Sequence, residues 1–218
     1  MFMFNRRHFR HMRRFSAHRM EVLNCFGKFE ELFRLLLSKC PDTDTLRSVQ
    51  IALDNCERAA DGELSHLLDP PPNLPSSQIF VRLIPLSCTL DQIAKACRKT
   101  AHEVMREAPD FPDCLRAELS EILALTKKQL SLLCRACELM THEAYALCRD
   151  RRPLTDIRIE SEKIETLRTD LHDRIFVSAI ALSDKCYHRD LLDRVCAPSD
   201  MIGEAVRQIE LTLLRMRR

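Results

Sequence analysis

Apolar side chains recur along this chain at three- and four-residue intervals, separated by charged positions and by clusters of proline. That spacing is the signature of amphipathic helices. Leu23, Phe26, Phe29, Phe33, Leu36 and Leu37 predict a first helix over about 20–40, ending near Pro41. Asp42, Thr43 and Asp44 offer capping oxygens for a second helix over about 44–69, stopped by Pro70, Pro71, Pro72 and Pro75. A third helix over about 78–108, capped by Ser76 and Ser77, carries Leu83, Leu86, Leu90, Ile93 and Cys97, with Pro85 near its start. After Pro109 and Pro112, a fourth runs over about 112–149 on Leu115, Leu119, Ile122, Leu130, Leu133, Cys137 and Leu147. The fifth, about 154–185, shows Ile157, Ile164, Leu167, Leu171 and Ile175. The sixth, about 189–216, shows Leu192, Val195, Ile202, Val206, Ile209 and Leu213, with a kink or break expected at Pro198. No segment alternates as a strand would.

The second helix holds the most informative stretch, LDNCERAADGELSHLL from Leu53 to Leu68. At about 100° per residue, Leu53, Cys56, Ala60, Leu64 and Leu67 form one seam. Asp54, Glu57 and Asp61 fall on an adjacent arc, at the rim of that seam, where a partner helix can meet them. Glu57 and Asp61 repel at i,i+4 unless a cation or basic group lies between them. Such a row of hard oxygens suits a ferric or divalent ion. The bland reading is a solvated rim in which Asp54 pairs with Arg58.

The pattern also repeats. A shift of 104 residues sets Ile157 on Leu53, Ile164 on Ala60, Leu171 on Leu67 and Glu165 on Asp61, and a shift of 102 sets Leu192-Asp193 on Leu90-Asp91. The expected architecture is therefore all-α, six long helices forming two pseudo-repeated three-helix bundles over 20–108 and 109–218 within one compact unit.

Composition agrees with helices: 3 Gly, 0 Trp and 2 Tyr in 218 residues. Six of the 34 basic residues precede the first acid, Glu21, leaving 28 against 32 acids in the remainder. The body is mildly acidic and carries no nucleic-acid signature. Residues 1–19, MFMFNRRHFRHMRRFSAHR, read as a basic, disordered leader, with a chain beginning at Met20 expected to fold; a basic amphipathic segment on an anionic membrane surface is the other reading. Eleven cysteines, an odd number with no secretory signal, indicate small apolar side chains in a reducing cytosol. Cys134 and Cys137 form one C-x-x-C, with His142 and Cys148 downstream, which reads as core because zinc needs four converging ligands. No nucleophile motif and no glycine-rich phosphate loop is present.

FGKFEELFRLL at 26–36, CERAAD at 56–61, LDQI at 90–93, KIETLRTDLHDRIF at 163–176 and SDMIGEAV at 199–206 together resemble, in order and spacing, the PhoU-like proteins. The resemblance is to the short branch of phosphate transport regulators that accompany Pit-type permeases. It implies two three-helix bundles, iron or zinc on acidic E/D-x-x-x-D elements, and regulation of phosphate uptake. Position by position, the implied metal ligands are Asp54, Glu57, Asp61 and Asp91 in the first half, and Glu165, Asp200 and Glu204 in the second. Lys95, and Ser161, Arg168 and His172 beside Glu165, depart from that pattern. The implied function is a non-enzymatic, cytoplasmic regulator or adaptor, peripheral at the inner face of the membrane. Its partner would be a membrane phosphate permease or a phosphate-sensing kinase, with a homo-oligomer as a further expectation. The alternative is a carboxylate-bridged metal-binding or metal-storage bundle, although the E-x-x-H of di-metal bundles is missing.

Overall fold

A computed structural model of the chain describes residues 2–38, 42–68, 78–142 and 144–216. Pro41, the run Pro70–Pro75 and the capping residues Ser76 and Ser77 lie outside them, as do the side chains of residues 2–10, 78–82, 114, 142, 144–146 and 216. Among the described residues there are seven helices and no strand: α1 Phe2–Leu36, α2 Thr43–Leu68, α3 Gln78–Glu107, α4 Asp113–His142, the short α5 Ala144–Arg149, α6 Arg152–Val177 and α7 Leu182–Met216.

α1, α2 and α3 pack on one another, as do α4, α6 and α7; α3 lies along α7 and α1 along α4. Long helices alternate in direction. At one end Arg116 Nη1 donates to the carbonyl of Leu37 at 2.6 Å, and at the other Arg14 Nη1 donates to the carbonyl of His66 at 3.2 Å. The stripes of the sequence become a single apolar core running through both halves. Phe26, Phe29 and Phe33 stack along α1 at centroid separations of 5.8 and 4.8 Å and reach Phe111 at the α3–α4 connection. Burial of this kind, at about 25 cal/mol per Å² of apolar surface, supplies most of the favourable folding energy.

Three expectations are corrected. The basic leader is helical: α1 begins at Phe2, and Met12, Phe15, His18 and Arg19 are buried. Phe15, Val22 and Phe26 fall on one helical face, so tertiary packing continues the helix back through the arginines, and Arg19 lies over the Phe15 ring at 5.3 Å. The second correction is the break allowed for at Pro198: α7 continues through that residue without interruption. Val195 and Cys196 before it, and Ile202 and Ala205 after it, are all buried in the core, which offsets the roughly 3 kcal/mol that an interior proline costs. Third, the α6–α7 turn falls at residues 178–181 rather than near 186–188.

Candidate functional site

Each three-helix half carries a group of carboxylates held by the protein's own cations. In the first half, Asp54, Glu57 and Asp61 lie one turn apart on α2 and face Asp91, Lys95, Arg98 and His102, likewise one turn apart on α3. Lys95 Nζ bridges Asp61 at 2.9 Å and Asp91 at 2.8 Å. Arg98 bridges Asp54 at 3.1 Å and Glu57 at 3.3 Å, and His102 Nε2 reaches Asp54 at 2.8 Å. The bland pairing of Asp54 with Arg58 does not form; Arg58 donates to Asn55 at 2.9 Å instead. Nor is Glu57 a rim residue. It is 4% exposed, because its position on α2 is covered by α3 and neutralised by Arg98.

Asp91 is the most constrained member. Its side chain is buried, Lys95 takes one carboxylate oxygen, and Oδ1 has no hydrogen-bond partner. The two bonds to Asp91 and Asp61 hold the Lys95 ammonium above its usual range. Nearby, His18 is fully buried with neither ring nitrogen hydrogen-bonded. Burial pushes its imidazole down to about 4, against the upward pull of Asp91 and Asp61.

In the second half the cation stands on the other helix of the pair. Arg168 on α6 donates to Asp193 on α7 at 2.6 Å, and contacts Asp200 at 3.4 Å and Glu165 at 3.6 Å. His172 adds a contact to Asp193 at 3.2 Å. Burial would raise the Asp193 carboxyl, yet Arg168 and His172 hold it below its ordinary value. Asp200 is raised, chiefly by burial, with Arg168 opposing. Glu204 stands apart, paired with Arg207 at 2.7 Å.

The candidate residues are thus brought together as two ion-pair clusters: Asp54, Glu57, Asp61 and Asp91 in one, Glu165 and Asp200 in the other, with Glu204 outside both. Sequence reasoning passed over Arg98, His102 and Asp193. The signal for Asp193 was its coincidence with Asp91 in the repeat, and for Arg98 and His102 their place one and two turns beyond Lys95. This donor set does not fit a resident iron or zinc. Each of the seven candidate carboxylates already pairs with an ammonium or guanidinium group, and among the described residues no three His, Cys, Asp or Glu side chains converge as ligands. A divalent ion placed here would meet Lys95, Arg98 or Arg168.

Cys134 and Cys137 are core residues: burial pushes the Cys134 thiol up to about 11, and that of Cys137 further. A thiol held protonated is a poor nucleophile and metal ligand. A second polar feature joins α4, α6 and α7. Gln129 donates to Ser161 at 2.6 Å and accepts from Ser199 at 2.8 Å, in an otherwise apolar interface. Its bonds specify how the second bundle packs.

No known family's sequence pattern matches the chain, and no curated protein matches it in sequence. Solved structures do match. A candidate PhoU-like phosphate regulatory protein from Shewanella oneidensis MR-1 superposes with a TM-score of 0.82 at 15% identity, over 94% of this chain and 99% of that one. A PhoU-like protein from the same organism gives 0.85 at 15% identity, with the same coverage. The chain, with its two ranks of three long helices on one shared core, has the PhoU-like fold of those structures.

Proposed function

We propose that this chain is a non-enzymatic regulator of phosphate transport that acts by contact with a membrane phosphate permease, or with a phosphate-sensing partner such as a kinase. The observation that carries the reading is the PhoU-like fold, shared along nearly the whole chain with a protein described as a candidate PhoU-like phosphate regulatory protein. Two features of the chain support contact rather than catalysis. The acidic positions that could hold metal are spent on internal ion pairs that tie α2 to α3 and α6 to α7. Among the described residues no helix is long and apolar enough to cross a membrane, so a membrane partner would be met from its surface. The regulator would work at the cytoplasmic face, where the exposed Arg13 of α1 can add attraction to anionic lipid.

Affinity purification tests this directly. Full-length tagged chain, recovered from detergent-solubilised membranes of its own cells grown at low and high phosphate, is expected to enrich a phosphate permease over an untagged control. Intact chain recovered with neither a permease nor a phosphate-responsive kinase would count against it.

A further inference from the structure

The α6–α7 turn carries the most exposed large apolar side chains among the described residues. IFVSAIALS, residues 175–183, contains no charge, and Phe176, Val177 and Leu182 are 73, 79 and 77% exposed. The turn is nevertheless held in shape. The Ser178 N–H donates to the carbonyls of Arg174 at 3.0 Å and Ile175 at 3.4 Å, and Lys185 Nζ donates to the Phe176 carbonyl at 2.8 Å. Large apolar side chains displayed on a fixed turn mark a contact surface.

Beside it opens a cleft of about 780 Å³ between the α3–α4 connection and the start of α7, to which the turn contributes Ile180. Its lining carries the carboxylates of Glu107, Asp110 and Asp184 with His188, against a wall of Pro109, Pro112 and Tyr187 and with no lysine or arginine; Glu107 is met from outside the cleft by Arg106 at 3.5 Å and Arg194 at 4.0 Å. Asp184 has no cationic partner among the described residues; Asp110 has only Arg116 at 3.7 Å and is fully exposed. Arg194 already lies over the Tyr187 ring at 5.9 Å, so it is the carboxylates of Asp110 and Asp184, set against the proline faces, that favour a lysine or arginine side chain.

We infer that this end of the bundle binds a basic, apolar-anchored segment of a protein partner, its cations in the cleft and its apolar side chains against Phe176, Val177 and Leu182. Other occupants fit less well. An anionic lipid surface would be repelled by Asp110 and Asp184. A second copy needs about 800 Å² per partner, and three protruding side chains supply roughly half of that. If the proposed permease contact holds, the match is direct, because the cytoplasmic loops of membrane proteins are rich in lysine and arginine; only this last step rests on that reading.

The probe is a fluorescein-labelled amphipathic peptide of lysine, leucine and phenylalanine, titrated with the full chain by anisotropy, beside a version with glutamate for lysine. Two double variants are compared, D110K/D184K and F176S/L182S, all four positions being exposed, with helicity and melting checked by circular dichroism. The inference expects saturable binding of the lysine peptide, at least tenfold weaker in each double variant and weakened by salt, and no binding of the glutamate peptide. Equal affinity in wild type and both variants, or equal binding of both peptides, would overturn it. So would unchanged peptide affinity in F176S/L182S alongside lost recovery on phosphatidylglycerol vesicles, or alongside loss of a dimer in sedimentation, which would assign the turn to lipid or to a second copy. Failed peptide binding with intact permease recovery overturns this site alone; the reverse outcome overturns the permease reading alone.

Discussion

Lys95 Nζ lies 2.8 Å from the carboxylate of Asp91, a side chain only 5% exposed. One turn of α3 separates the two, and the same ammonium reaches Asp61 on α2, so this cation ties α3 to α2 beside the tie that Arg98 makes. Removing it leaves a buried carboxylate without its charge partner, which is costlier than never having built the pair. Lys95→Met is expected to lose about 2 kcal/mol in urea unfolding, and adding Asp91→Asn is expected to recover part of that loss. Additive losses in the double variant would show that the pair is not coupled.

The ion pairs also predict indifference to metal. Protein purified without chelator should carry well under one iron or zinc per chain, and its melting temperature should not move with EDTA. The variant Lys95→Ala/Arg98→Ala, with its four carboxylates released, should melt at a higher temperature when manganese or zinc is added, because an ion that binds only the folded state stabilises it. A stoichiometric metal in wild type, lost together with stability on chelation, would contradict the account.

His18 sets an acid limb of stability. Its folded pKa of about 4 lies below the ordinary 6.5, so the unfolded chain takes up the proton first. The stabilisation is complete above about pH 6.5 and drains away as pH falls toward 4, by about 3 kcal/mol in all. His188, also lowered by burial, contributes with the same sign. His18→Leu should flatten the dependence of the urea midpoint on pH between 6.5 and 4.5. An unchanged slope would mean that His18 is protonated or solvated in the folded state.

The N-terminal helix is structural. A chain beginning at Met20 loses the buried Met12, Phe15, His18 and Arg19 and is expected to melt far below the full chain or not to fold. Phe15→Ala alone should cost about 3 kcal/mol. Melting curves of the truncated and full chains that superimpose would contradict this.

Ala108 holds a left-handed backbone, φ 43°, where α3 ends. Its side chain is exposed, so no packing compensates a conformation that costs a non-glycine residue about 1 kcal/mol. Ala108→Gly is expected to raise stability by up to about 1 kcal/mol, with no change in helicity; a destabilised variant would mean that the turn is shaped by contacts of the alanine methyl.

The periodic stripes made the fold legible because Leu83, Leu90, Ile122, Ile157 and Ile209 obey the same rule in sequence and in the core. What was hidden is what periodicity cannot encode. Phe15 and Met12 read as stray residues among arginines until α1 has something to pack against. The α6–α7 turn contains neither glycine nor proline, and its apolar run looked like more helix. At the candidate site, Asp54, Glu57 and Asp61 were visible as a row, whereas their partners Arg98 and His102 lie over 40 positions away on a helix whose register only the packing decides.

The central claim is that the chain regulates phosphate transport by contact, and the initial rate of labelled phosphate uptake by intact cells tests it most directly. Deleting the chain should change that rate at least twofold, and restoring it on a plasmid should return the rate to its original value. An uptake rate identical with and without the chain, at both low and high external phosphate, would contradict the claim.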